Sequence, residues 1–473
     1  MFNIATNIGI SLLTLTSQVV SGTVIFVLLA RMMTPNDFGL ISFGSVFAGL
    51  IAVISEFGFS LMAQKDIPQK KYSFQQYIFN SISQKTIISC VTILLGLTYL
   101  KTFFVNDNVV IGSIFLFGGI LTSKIMYFGA VFRAKNMFSI ESISFFIYAL
   151  LSVLTIILTH LLSLNVYQIA WCLFFSRLLH LISLIVFFVK KFGLLKFQFD
   201  RSIQRYLFKN SYSYGLLFII GTFYFTIDSQ LIVYFLGNES LAIYQSFFKI
   251  VTLVLIINEI FSNVFLPYLS SIYEQKGKFF EGAKKANVLV FMLGLITFVF
   301  VNFFSEYILT SLYSDKYIAA LKLAFPLSGM LYFRILASIY AVVLTISDNQ
   351  NRRVIIVLIS LILNVTLNIY VIPKFGILGA AYVSFFTLFV LFCLYFLFSY
   401  NLLKESLIDF SLVRFSFFTI SVICFLKISG LNFGLTFSII AFLFWLLILL
   451  SQVKVSDMVK FVTTDKVNHT NDI

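Results

Sequence analysis

Charge is what this chain has least of. Only 11% of its 473 residues are Asp, Glu, Lys or Arg, against about 25% in a soluble domain. Long polar segments are missing as well, which excludes a soluble domain of any size. No Walker sequence, Gly-rich nucleotide fingerprint or metal-ligand spacing occurs, so no cofactor, metal centre or nucleotide hydrolysis is expected on this chain. Cys90, Cys172, Cys393 and Cys424 all fall inside apolar runs with no disulfide framework and read as small packing residues. The first apolar run has no basic region before it and no evident cleavage site, so it is expected to be an uncleaved first helix. Strict polar–apolar alternation is absent too. Runs such as Leu446–Leu450 and Phe385–Phe398 are continuous, which argues against a membrane β-barrel.

What remains is hydrophobic: 60% of the residues, with a mean hydropathy of +1.00. Roughly 20 apolar residues in a helix cross a bilayer core about 30 Å thick. The pattern predicts an all-α membrane protein with about 14 transmembrane helices, at 8–30, 38–62, 79–100, 108–132, 143–163, 167–189, 211–236, 241–269, 286–312, 319–346, 353–373, 377–400, 411–430 and 432–451. The last two nearly touch at Gly430–Asn432.

Cations set the orientation, because Lys and Arg accumulate in short cytoplasmic loops. The connection from Lys190 to Asn210 carries Lys190, Lys191, Lys196, Arg201, Arg205 and Lys209. Alternate connections hold Lys65, Lys70 and Lys71; Arg133 and Lys135; Lys276, Lys278, Lys284 and Lys285; and Arg352 and Arg353. Those between them have Arg31, Lys101, Lys316 and Lys374, and several have none. Both termini are expected in the cytoplasm. The net charge of +14 is explained by this topology and by anionic headgroups, so no nucleic-acid partner is expected.

The Lys190–Asn210 break is the only sizeable hydrophilic one. It predicts a six-helix lobe at 1–189, a cytoplasmic linker at 190–210, a second six-helix lobe at 211–400, two additional helices at 401–451 and a cytoplasmic tail at 452–473. The turn from Ala30 to Gly39 has a weak echo in that from Phe235 to Tyr244, as in a duplicated, pseudo-symmetric bundle.

Three stretches carry a family resemblance. Ala30-Arg31-Met32-Met33-Thr34-Pro35-Asn36-Asp37-Phe38-Gly39 is similar to an A-R-x-L-x-P-x-D-F-G turn, with Met33 where Leu is usual. Ile227-Asp228-Ser229-Gln230, followed by Gly237 and Tyr244, is similar to a seventh-helix Asp with its following Gly and Tyr. Asn364 and Asn368, then Pro373, Gly376 and Gly379-Ala380-Ala381, match an N-x-x-x-N…P-x-x-G-x-x-G-A-A signature. Together they resemble the Wzx-type polysaccharide flippases of the multidrug/oligosaccharidyl-lipid/polysaccharide (MOP) superfamily, over nearly the whole chain. One departure is Glu56-Phe57-Gly58-Phe59, where many relatives have Asp-Leu-Gly-Leu. The motif residues also have structural duties: Pro35 and Asp37 suit a helix start, Pro373 a helix stop, Gly376 a turn, and Gly379 to Ala381 a close helix contact.

The resemblance implies translocation of an undecaprenyl-diphosphate-linked oligosaccharide, an O-antigen or capsule repeat unit, by alternating access. It also implies a polysaccharide polymerase and a chain-length regulator as partners, beside the lipid bilayer. A charge at a helix centre costs about 2.5–3.5 kcal/mol on insertion scales, so it faces a wet cavity or a partner. Arg177 and Arg334 fall near mid-span, one in each lobe, with no carboxylate at matching depth in adjacent spans. With Lys249, Lys124 and Arg31 they are the candidate cationic cavity for the diphosphate, Arg by its bidentate fork. Asp228, Glu259 and Glu56 are candidates for ion coupling or for ion pairs, Asp228 with Lys249 and Glu56 with Lys85 or Lys124. His160 and His180 read as incidental, and Tyr127, Tyr224 and Tyr340 as possible cavity aromatics for sugar rings. Two other functions are weighed: a multidrug/cation antiporter of the same superfamily, and a membrane polysaccharide polymerase or glycosyltransferase. Outside connections of about 3–10 residues leave the polymerase no glycan platform. No enzymatic activity is expected.

Overall fold

A computed structural model describes residues 4–347, 349–407, 410–428 and 435–452. The predicted tail beyond 452 lies outside them. Every regular element among the described residues is helical. The helices are α1 (Ile4–Met32), α2 (Pro35–Glu56), α3 (Phe59–Asp66), α4 (Phe74–Phe103), α5 (Asp107–Ala134), α6 (Phe138–Leu161), α7 (Val166–Phe192), α8 (Arg201–Leu236), α9 (Asn238–Ser271) and α10 (Lys276–Tyr313). A 3-10 segment, Ser314–Leu323, leads into α11 (Ala324–Ile346); α12 (Gln350–Leu403), α13 (Phe410–Ile428) and α14 (Leu435–Gln452) follow.

Eight helical stretches among the described residues are long and apolar enough to cross a membrane. Two hold more than one helix: Lys276–Ile346 covers α10 and α11, and Gln350–Leu403 is broken where Gly376 takes φ 62° and ψ −152°. Three shorter apolar helices are Ser17–Met32, Leu412–Leu426 and Ser438–Leu449. The protein is a multi-pass membrane protein.

The helices differ from the sequence expectation in three places. The predicted span 38–62 breaks at Phe57 and Gly58, both left-handed at φ 51° and 84°, so that α3 starts as a separate helix. The hydrophilic 190–210 connection shrinks to 193–200, because α7 runs on to Phe192 and α8 begins at Arg201, where Asp200 accepts the Ser202 and Ile203 amides. The chain stays helical through Pro373 and turns only at Gly376, the residue able to take a positive φ without strain. A smaller correction concerns α2, which is capped by Thr34 and not by Asp37. The Thr34 hydroxyl accepts the Asp37 amide at 3.2 Å and donates to the Asp37 carboxylate at 2.8 Å.

The chain divides into two compact units: Met1–Gln245 with Asn368–Ile377, and Ser246–Leu367 with Leu378–Ile473. In lipid, burying an apolar side chain gains little over leaving it among acyl chains, so helices associate through close packing and hydrogen bonds. The first unit shows this at both ends of α2. Near the start of α2, a Cβ on Gly39 would sit 1.9 Å from the carbonyl oxygen of Asn238, and Asn238 and Asn108 exchange amide hydrogen bonds at 2.9 and 3.0 Å. At its other end, Gly58 and Gly215 bring the backbones of the Phe57–Gly58 turn and α8 together, where added Cβ atoms would fall 2.7–2.8 Å from carbonyl oxygens of Ser211 and Phe57. In the second unit α13 and α14 pack on α10 and α11 through Leu412, Ile423, Leu449, Phe298 and Leu336, and Trp445 donates to Thr419 at 3.1 Å.

Candidate functional site

The first unit holds a cavity of about 670 Å³ walled chiefly by α5, α6 and α7, with Gln18 of α1 and Ser60 of α3 at its margin. Arg177 lines it. A capping box fixes the start of α7: Asn165 accepts the Gln168 amide and the Gln168 side chain accepts the Asn165 amide. Arg177 lies eleven residues beyond Val166, about 17 Å along the helix, which is mid-span. Its guanidinium carbon is 5.7 Å from the centroid of the Phe115 ring, and no carboxylate among the described residues pairs with it. A half-buried guanidinium with an aromatic face for company and five unused donors is a ready anion ligand.

Two further polar groups on the wall escaped sequence reading. Arg133, counted only as a loop cation, turns into the cavity at the end of α5, paired with Glu141 and 3.4 Å from the Gln64 side-chain oxygen. Glu141 drew no notice because it sits in the first turn of α6, yet it pairs with Arg133, while Arg177 has no ion pair among the described residues. His180, read as incidental, lies one helical turn from Arg177 with its ring stacked on Tyr148 at 4.7 Å. Tyr127 and Tyr224 are buried elsewhere and do not line this cavity; Tyr340 is buried in the second unit. The side chain of His160 lies outside the described residues.

The Glu56–Lys85 neighbourhood differs from the expected ion pair. Glu56 is buried, and its carboxylate accepts the amides of Gly58, at 2.7 Å, and Ser60, satisfying the exposed start of α3. Lys85 is 2% exposed and donates to Ser123 Oγ at 2.9 Å and to the carbonyls of Ser55 and Glu56 at 3.3 and 3.5 Å. The two side chains serve one turn without meeting. Lys124, half-buried on α5, has no ion pair among the described residues either.

Asp228 is buried on α8. Its Oδ1 accepts Asn368 Nδ2 at 2.8 Å, and its Oδ2 faces the Tyr244 hydroxyl at 3.5 Å. The next residue, Ser229, accepts the Gln245 amide at 2.7 Å. Three residues quoted from two motif stretches therefore meet in one network. In the second unit, Asn364 donates to Thr387 at 3.4 Å. Lys249 and Arg334 are half-buried on α9 and α11, and Arg31 is exposed in the last turn of α1. The side chain of Glu259 lies outside the described residues.

A family model for polysaccharide biosynthesis proteins matches residues 4–273. The chain belongs to that family. The capsular polysaccharide biosynthesis protein CapF of Staphylococcus aureus is 24% identical over 373 residues, covering 76% of this chain and 89% of CapF. Among solved structures, the lipid II flippase MurJ in an inward closed conformation superposes with a TM-score of 0.74 at 14% identity, over 97% of this chain and all of MurJ. An inward-facing multidrug resistance transporter of the MATE family, in the MOP superfamily, superposes with a TM-score of 0.69 at 13% identity, over 82% of this chain and 94% of its own. Identities this low speak for the fold alone, and that fold is the one shared by MOP-superfamily transporters. The resemblance carried by the three motif stretches is borne out.

Proposed function

We propose that this family member is a flippase that moves an undecaprenyl-diphosphate-linked oligosaccharide, an O-antigen or capsule repeat unit, across the bacterial inner membrane by alternating access. The observation that carries the reading is the unpaired Arg177 guanidinium at mid-span on the wall of a 670 Å³ cavity. A cation at this depth is retained against its insertion cost when an anion visits it. The diphosphate is the anionic part of a lipid-linked sugar, and Arg engages it through two parallel N–H bonds. The stacked Tyr148–His180 pair beside it offers an aromatic face to a sugar ring. Family membership and the fold of lipid and drug transporters support transport over catalysis, and no enzymatic step is assigned.

The proposal includes fourteen crossings, two six-helix lobes with two appended helices, and both termini in the cytoplasm. Arg334, Lys249, Lys124 and Arg31 are its further cationic candidates for the substrate. Asp228 and Glu259 are its candidates for ion coupling; Glu56 is assigned to capping α3. Polymerase and chain-length regulator are the proposed partners downstream.

The test is genetic and chemical. Removing the gene from its host should abolish surface glycan while the lipid-linked repeat unit accumulates on the cytoplasmic side, and restoring it should reverse both. Loss of glycan without such accumulation would place the protein in synthesis or polymerisation. Extrusion of cationic drugs with glycan unaffected would favour the antiporter.

A further inference from the structure

A second opening in the first unit shares no lining residue with the Arg177 cavity. It is a slot of about 290 Å³ among α2, α4 and α8. Each helix offers it one face at i, i+3, i+4, i+7 spacing: α2 from Phe47 to Ile54, α4 from Thr92 to Tyr99, and α8 from Phe223 to Gln230. The glycine contacts described above hold α2 against its neighbours at Asn238 and at Gly215, to either side of this stretch. Between them the three faces leave space that side chains do not fill.

The chemistry of the wall is narrow. It carries no charge, and both of its threonines turn their hydroxyls to their own helices, Thr92 to the Ile88 carbonyl and Thr226 to the Thr222 carbonyl, each at 2.8 Å. Gln230 is different. It is 1% exposed, yet neither its amide oxygen nor its amide nitrogen has a hydrogen-bond partner. A buried primary amide with both ends unmet is costly in a protein and more so within a bilayer. On the α4 side the wall reaches the lipid-facing surface, where Leu95 is 65% exposed.

An uncharged, largely apolar slot open to lipid, with the Gln230 amide and the Tyr99 hydroxyl as its donor–acceptor groups beside the two threonines, selects a hydrocarbon chain with an oxygen at its head. Gln230 lies six residues before the end of α8, about 9 Å along the helix. We propose that this slot is a lipid-chain site, in which the apolar walls hold the chain and the Gln230 amide hydrogen-bonds the ester or phosphoester oxygen at its head. Two molecules supply that chemistry: a glycerolipid of the surrounding bilayer and a polyprenyl carrier. The site stands on its own lining, so its failure would leave the transport reading untouched.

The full-length protein, reconstituted in vesicles of phosphatidylethanolamine and phosphatidylglycerol, is photolabelled with two probes, a diazirine-acyl phosphatidylglycerol and a diazirine-bearing farnesyl phosphate. Adducts are mapped by mass spectrometry. They should concentrate on 47–54, 92–99 and 223–230 rather than on lipid-facing α14, where Phe444 is 65% exposed. The probe displaced by its unlabelled counterpart identifies the source. Gln230→Leu should lower slot labelling about tenfold, the worth of one hydrogen bond, while unfolding at the same or a higher temperature. Ile227→Trp, which fills the slot, should abolish it. Slot labelling no greater than that of α14, or unchanged in a folded Gln230→Leu protein, would overturn the site whatever Ile227→Trp does.

Discussion

Asn368 donates a 2.8 Å hydrogen bond to Asp228, across 140 residues of sequence. Both side chains are buried, and the Tyr244 hydroxyl faces the other carboxyl oxygen. The bond ties the middle of α12, in the segment Asn368–Ile377, into the first unit. A hydrogen bond to a charged group is worth about 1.5–3 kcal/mol, and losing one side of it strands the other. Asn368→Ala should therefore lower stability by about that much, read as a reduced unfolding temperature in detergent. Asn368→Asp should do worse, because it replaces the donor with a second carboxylate. A fully stable Asn368→Asp protein would mean that the network is not carrying the contact.

The Arg177 cavity makes a graded prediction. Arg177→Ala removes charge and fork together, so repeat-unit export should fall by about ten- to a hundredfold at near-normal abundance in membrane fractions. Arg177→Lys keeps the charge but loses bidentate geometry and should be intermediate. Arg334→Ala and Arg334→Lys form the matching pair for the second unit. Surface-glycan assays beside immunoblots separate transport loss from misfolding. Normal export in both Ala variants would remove these arginines from the substrate path and turn attention to Lys124 and Lys249.

Close packing at Gly39 can be tested against a glycine that has none. A Cβ at Gly39 would lie 1.9 Å from a backbone oxygen, whereas at Gly22 it would meet nothing within 4 Å. Overpacking costs about 1–3 kcal/mol, so Gly39→Ala should sharply reduce folded protein in the membrane. Gly22→Ala should be neutral or slightly stabilising, since Gly costs roughly 0.5–1 kcal/mol in a helix relative to Ala. Equal behaviour of the two would contradict the α2–Asn238 contact.

Topology is open to direct labelling. In a background free of the four native cysteines, Ser240→Cys should react with a membrane-impermeant thiol reagent in intact cells and Gln275→Cys should not. Reversed labelling would invert the orientation and every depth assigned from it.

The sequence alone determined the class of molecule. Continuous apolar runs at bilayer length leave a helix as the only way to satisfy the backbone in lipid, and the helix start at Thr34-Pro35-Asn36-Asp37 was legible, though not which of Thr34 and Asp37 caps it. The motif stretches were enough to reach the family. Arg177 was legible as well, because a lone cation in an apolar run stands out in any reading. Partnership was not. Glu56 and Lys85 looked like a salt bridge, yet the break at Phe57–Gly58 left unsatisfied amides that claimed the carboxylate and a carbonyl cluster that claimed the ammonium. Glu141 beside Arg133, and the unmet amide of Gln230, depend on which helix faces meet, and in lipid that is decided by close contacts such as Gly39 on Asn238. Hydropathy sees how deep a residue lies along its helix; which neighbour it faces is set by the packing of segments far apart in the chain, and only the tertiary structure contains that.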